Sequence, residues 1–103
     1  MKKNRFWLSY DFGIQGDYGA LYAWLDDIDA KDCGDSVATF MFEGTREEAS
    51  RTITKVTGLT GRMYLIGKNR AGKVTGGFIS GRRKAPPWTG QSSKVAREEE
   101  EEA

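Results

Sequence analysis

Ala30-Lys31-Asp32-Cys33-Gly34-Asp35 runs directly into Ser36-Val37-Ala38-Thr39-Phe40-Met41-Phe42-Glu43, and the reading of the first six residues decides the fold. The second part is a plain strand, with Val37, Thr39 and Met41 on one face and Ala38, Phe40 and Phe42 on the other. The first part is short and polar. It reads as a degenerate edge strand that enters a turn at Gly34-Asp35. Without that strand, the elements on either side would have to connect differently.

Upstream, Tyr18, Leu21, Tyr22, Leu25 and Ile28 recur at helical spacing, so residues 18–29 are expected to form an amphipathic helix. Asp17 is placed to cap it, and Asp26, Asp27 and Asp29 fall on its other face. Before it, Arg5 to Tyr10 alternates with large apolar groups in both sets, which predicts a central strand covered at least partly on each face. Downstream, Thr45-Arg46-Glu47-Glu48 matches a capping box, Ala49, Ile53 and Val56 supply a buried stripe, and Gly58 ends the helix. Residues 62–67 and 73–80 are strands joined by the Asn69-Arg70-Ala71-Gly72 turn. Gly76-Gly77 suggests a bulge or the close approach of another backbone.

This order, strand, helix, weak strand, strand, helix, strand, strand, predicts an α+β domain over residues 1–84. Its plan is a ferredoxin-like antiparallel sheet with two helices on one face and an extra C-terminal strand. Residues 85–103 have no apolar period and finish in Glu98 to Glu102; they are expected to be a disordered acidic tail.

The chain of 103 residues contains no histidine and a single cysteine, Cys33. An intrachain disulfide and a thiolate metal cluster are therefore excluded, as is the commonest general base. Carboxylates, hydroxyls, lysines or a hard cation held by oxygen are what remains. No apolar run reaches the roughly 18 residues of a membrane span, so no membrane partner is expected. The basic start lacks the apolar stretch of a signal peptide, which makes the expected location cytoplasmic.

The formal net charge of +1 hides a segregation. Residues 1–50 carry five Lys/Arg against ten Asp/Glu, residues 51–90 carry nine Lys/Arg and no acid, and residues 91–103 carry two against five. Lys68, Arg70 and Lys73 cluster at the expected hairpin tip, and Arg82, Arg83 and Lys84 follow the last strand. These six are the candidate nucleic-acid contacts, with Tyr64, Phe78 or Trp88 available to stack on bases where exposed. The competing reading is a solvated face neutralised by the acidic first half.

Asp11 closes the first strand ahead of a glycine loop. It either caps that loop by accepting backbone N–H bonds or holds a magnesium ion with its twin across a two-fold axis. Tyr10-Asp11, Gly16-Asp17-Tyr18 before Leu21-Tyr22, Asp35-Ser36 opening an apolar strand, and the following capping box together resemble the small ferredoxin-like subunit of CRISPR adaptation and its stand-alone relatives. The resemblance covers residues 5 to about 80. It implies a homodimer joined through sheets, a role with RNA or DNA, and Asp11 as the metal ligand and catalytic residue in members that are nucleases. The family's second strand is normally a firm apolar one, and Ala30–Asp35 departs from that. The alternative is a small inhibitor or regulatory protein without enzymatic activity, whose acidic helix face (Asp26, Asp27, Asp29, with Asp32 and Asp35 beyond) and acidic tail mimic nucleic acid or dock on a basic protein partner.

Overall fold

Strand β1 (Asn4–Asp11) lies at the centre of the sheet because both of its neighbours meet it in the register that its side-chain alternation demands. In this computed structural model, which describes residues 2–14, 16–82 and 84–94, Phe6 and Leu8 face Phe40 and Ala38 of β3 (Val37–Phe42). On the other side Leu8 and Tyr10 face Leu65 and Met63 of β4 (Arg62–Lys68). Directly opposed residues share a face, so these apolar side chains form one layer.

Onto that layer pack Leu21 and Leu25 of α1 (Gly19–Asp27) and Ala49 and Ile53 of α2 (Arg46–Thr57). Both helices therefore cover the same face. Phe6 stacks with Phe40 at 5.8 Å between centroids and meets Phe42 edge-on at 6.0 Å. Each large side chain buried here contributes ~1.5–3 kcal/mol. Among the described residues, no polar or charged side chain is buried with them.

The capping box forms in full. Thr45 Oγ1 accepts the Glu48 N–H at 3.3 Å, and Glu48 Oε1 accepts the Thr45 N–H at 3.2 Å. Gly58 closes α2 in the left-handed region at φ 70°. With its many β-branched residues α2 is weak on propensity, so Ala49 and Ile53 hold it; Val56 is half-buried. Helix α1 is shorter than the spacing implies. Tyr18 rather than Asp17 takes the N-cap position and makes no side-chain cap bond, while Asp17 Oδ1 accepts the Gly19 N–H at 2.9 Å.

The full sheet is antiparallel in the order β2-β3-β1-β4-β5, with β5 spanning Val74–Ser80. The decisive edge strand exists but is reduced to β2 (Lys31–Asp32), paired with Thr39 and Ala38. Asp32 itself ends it: its Oδ1 accepts the Gly34 N–H at 3.0 Å and turns the chain towards Val37. Among the described residues, no helix is long and apolar enough to cross a membrane.

Two local expectations are corrected. β1 is covered on one face only, and Trp7 stands 37% exposed on the other. Trp24, off the main stripe of α1, also turns in and meets Phe40 edge-on at 5.2 Å. The register shift in the β4–β5 pair falls between Met63 and Tyr64, not at the glycine pair, which sits in regular register opposite Leu65 and Ile66. What approaches these glycines is side chain, not backbone. The Tyr64 ring lies over Gly76 on the open face, and the Arg46 guanidinium lies over Gly77 on the helical face.

Candidate nucleic-acid interface

The open face of the sheet carries rings and cations together. Tyr64 and Phe78 stand opposite each other at the end of the regular β4–β5 register, just before its shift, and meet edge-on, 4.9 Å between centroids and 84° between planes. Past β5, the Ala85-Pro86-Pro87-Trp88 segment returns beside them, and its turn is fixed by Thr89 N–H to Pro86 O at 3.1 Å and Gln91 N–H to Trp88 O at 3.0 Å. The result is a groove of about 540 Å³ whose walls include Arg62, Tyr64, Phe78, Arg82, Lys84 and Trp88. Phe78 is 45% and Trp88 71% exposed, so ring surface stands open beside three cations.

The six cations singled out in the sequence do not form one patch. Lys68, Arg70 and Lys73 lie at the tip of the β4–β5 hairpin, and Arg82 and Lys84 at its foot. A seven-residue strand separates the two groups, a span of ~20 Å at the usual rise per residue. Arg83 lies outside the described residues. The acidic half reaches the tip through Glu47, whose carboxylate oxygens accept the Arg70 backbone N–H at 3.1 and 3.4 Å. Hydrogen bonding from its own backbone N–H is the main cause that holds Glu47 below its ordinary 4.5, with the Arg70 N–H adding and desolvation opposing. Among the described residues the ion pairs are Lys31 with Asp29 at 3.2 Å and Arg62 with Asp11 at 3.9 Å. Among the described residues, none of the candidate cations is paired with Asp26 to Asp35.

Asp11 ends β1 on the open face, directly opposite Arg62. Its Oδ1 accepts the Gly13 N–H at 2.9 Å, the turn-capping arrangement, and its Oδ2 faces Arg62 Nη1. Among the described residues, no group of three or more His, Cys, Asp or Glu side chains is arranged to hold a metal ion. Within one chain Asp11 does not fit magnesium, because one oxygen is committed to the loop and the other meets a guanidinium. Arg62 also carries an unmet donor: its Nε is buried without a hydrogen-bond partner.

At the opposite edge, a cavity of about 580 Å³ is lined by Tyr10, Tyr22, Asp26, Lys31, Asp32 and Asp35 among others. Burial, then the neighbouring Tyr22, raises the Tyr10 phenol above its ordinary 10.0. This collects part of the acidic half in one place. Cys33 is exposed nearby in the chain.

Sequence reasoning missed Trp7 and the site role of Arg62. The available signal was the odd-numbered set of β1, Arg5, Trp7, Ser9 and Asp11, which mixes charge with one ring and so marks a face open to water. Comparison with protein-family models, with curated proteins and with solved structures finds no match to this chain.

Proposed function

We propose that this chain is a nucleic-acid-associated protein that binds a polynucleotide on the open sheet face and works as a homodimer. The observation that carries the reading is the groove in which Tyr64, Phe78 and Trp88 meet Arg62, Arg82 and Lys84. Phosphate contacts supply salt-dependent affinity and exposed rings supply base contact, and this is the combination that binds polynucleotides. Read from β4 to β2, the strand order 4-1-3-2 with α1 and α2 as crossovers supports a ferredoxin-like plan with β5 appended. Among the described residues the outer side of β5 has no sheet neighbour, which supports dimerisation by edge pairing and leaves the open face free. That arrangement also agrees with the resemblance to the small subunit of CRISPR adaptation.

The reading is one of binding, and no metal step enters it. The test is fluorescence anisotropy with RNA and DNA oligonucleotides over a salt series. Replacing Arg62, Arg82 and Lys84 by alanine is expected to weaken binding and to flatten log K against log salt, by ~0.7 per lost phosphate contact on single strands. An unchanged slope would end the proposal. Incubation with Mg²⁺ and Mn²⁺ checks for cleavage; equal cleavage by wild type and Asp11→Ala would identify a contaminating nuclease.

The acid-lined cavity beside Tyr10 and Tyr22 favours a second reading, an inhibitor or regulatory protein docking on a basic partner. A pull-down separates the two: nucleic acid recovered through the basic half supports the first, and a basic protein held through Asp26, Asp32 and Asp35 supports the second.

A further inference from the structure

We infer that the polynucleotide is single-stranded at the groove, with unpaired bases stacking between Trp88 and the Tyr64–Phe78 pair; this deepens the nucleic-acid reading and rests on it. The groove's size falls within the range of ~300–1,000 Å³ that accommodates small-molecule ligands. Its rings differ in how they are held. Tyr64 is fixed by its seat over Gly76 and by Phe78 edge-on against it, whereas Trp88 is carried on two consecutive prolines outside the sheet. One wall is therefore a fixed platform and the other an exposed ring beside it. In a duplex the base faces are already covered by their neighbours in the stack, so they cannot enter such a space; an unpaired base presents both faces and stacks whatever its sequence.

The charges argue for the same occupant. Arg62, Arg82 and Lys84 surround the rings, and the Asp11 carboxylate beside Arg62 is turned to that guanidinium and to Gly13. A free apolar ligand would leave Arg82 and Lys84 unanswered, and a bare polyanion would leave the rings uncovered. A single strand answers both. Trp7, 37% exposed and opposite Ile66, lies one row along the open face, ~7 Å from the Tyr64 row at two residues' rise. It offers the next base a surface.

The test measures anisotropy with four labelled probes of equal length: oligo-dT, oligo-rU, an abasic strand and a duplex. Wild type is compared with Trp88→Ala, whose site lies beyond the last strand and outside the core, and circular dichroism confirms an unchanged fold. Either oligo-dT or oligo-rU is expected to bind at least fivefold more tightly than the abasic strand and the duplex. Trp88→Ala should weaken that binding by roughly five- to a hundredfold and leave the abasic strand and the salt slope as they were. Equal affinity for abasic and base-bearing strands would overturn the stacking inference while leaving phosphate binding in place. Absence of binding to all four probes at low salt would overturn the nucleic-acid reading as well. Sedimentation guards against a different occupant: a dimer that Trp88→Ala dissociates would show a second copy seated in the groove and end the inference.

Discussion

The ring of Tyr64 lies so close over Gly76 that a Cβ at position 76 would stand 2.5 Å from it. A side chain there and the ring cannot both keep their places. Gly76→Ala is therefore expected to destabilise the domain by ~1–3 kcal/mol, the usual cost of overpacking, and to weaken single-strand binding by displacing the ring. Gly77→Ala is the control. Its Cβ would meet Arg46 Nη1, the end of a flexible side chain that can move aside, and alanine in a strand recovers ~0.5–1 kcal/mol over glycine. Urea denaturation should thus show a clear loss for the first variant and a change under ~1 kcal/mol for the second. Equal effects would contradict the placement of Tyr64.

Why the glycine pair could be seen in the sequence but not understood is a matter of range. Local signals were legible in full: the Thr45–Glu48 capping box, the alternation in β3 and the stop at Gly58 all depend on residues within one turn or one strand. That Ala30–Asp35 is a degenerate strand was legible in its polarity; where it stops was hidden in Asp32, whose carboxylate competes with the ladder by binding Gly34 N–H. The open face of β1 was only partly legible: Arg5, Ser9 and Asp11 mark it as wet, but Trp7 looks as apolar as Phe6, and only the side on which both helices cross decides which ring is covered. The split of the cations into tip and foot followed from the length of β4, which was in view. The return of Trp88 beside Phe78, ten residues earlier, is tertiary and left no pattern to read.

The link between Glu47 and the Arg70 amide makes the hairpin tip sensitive to acid. Glu47 titrates below its ordinary 4.5 in the folded chain, chiefly through its own backbone N–H. A depressed carboxylate contributes stability that is complete above the unfolded value and is lost as pH falls through the lower folded value. The Arg70 amide resonance should therefore move with a midpoint under 4.5, and the movement should vanish in Glu47→Gln. An Arg70 amide that does not follow Glu47 would show that the contact is absent in solution, and a midpoint at or above 4.5 would show that hydrogen bonding does not hold the Glu47 carboxyl down.

Asp11 and Arg62 set the charge beside the groove. Asp11→Asn keeps an oxygen to accept the Gly13 N–H but removes the negative charge facing Arg62. Exposed pairs of this kind are worth ~0.2–1 kcal/mol, so single-strand affinity at low salt should rise, by up to roughly fivefold, with little change in thermal stability. A fall in affinity would make Asp11 a ligand-binding group and reopen a divalent-cation role, which calorimetric titration with Mg²⁺ on wild type and variant would then register.

The acidic end of the chain is the last device to test. Glu98 to Glu102 lie outside the described residues, but the description ends at Lys94, only six residues beyond Trp88. Eight further residues to Glu102 have a contour of at most ~29 Å, which makes the charge of Glu98 to Glu102 a candidate competitor for Arg62, Arg82 and Lys84. A tethered competitor of this length acts at an effective concentration on the order of millimolar, enough to contest weak phosphate contacts while losing to a strand whose bases also stack. Replacing Glu98 to Glu102 by glutamine keeps the length and removes the charge. Affinity for the abasic strand at low salt should then rise more than affinity for oligo-dT, and both gains should fade as salt screens the carboxylates. Equal affinities with and without these charges would reduce the glutamates to a solubilising extension.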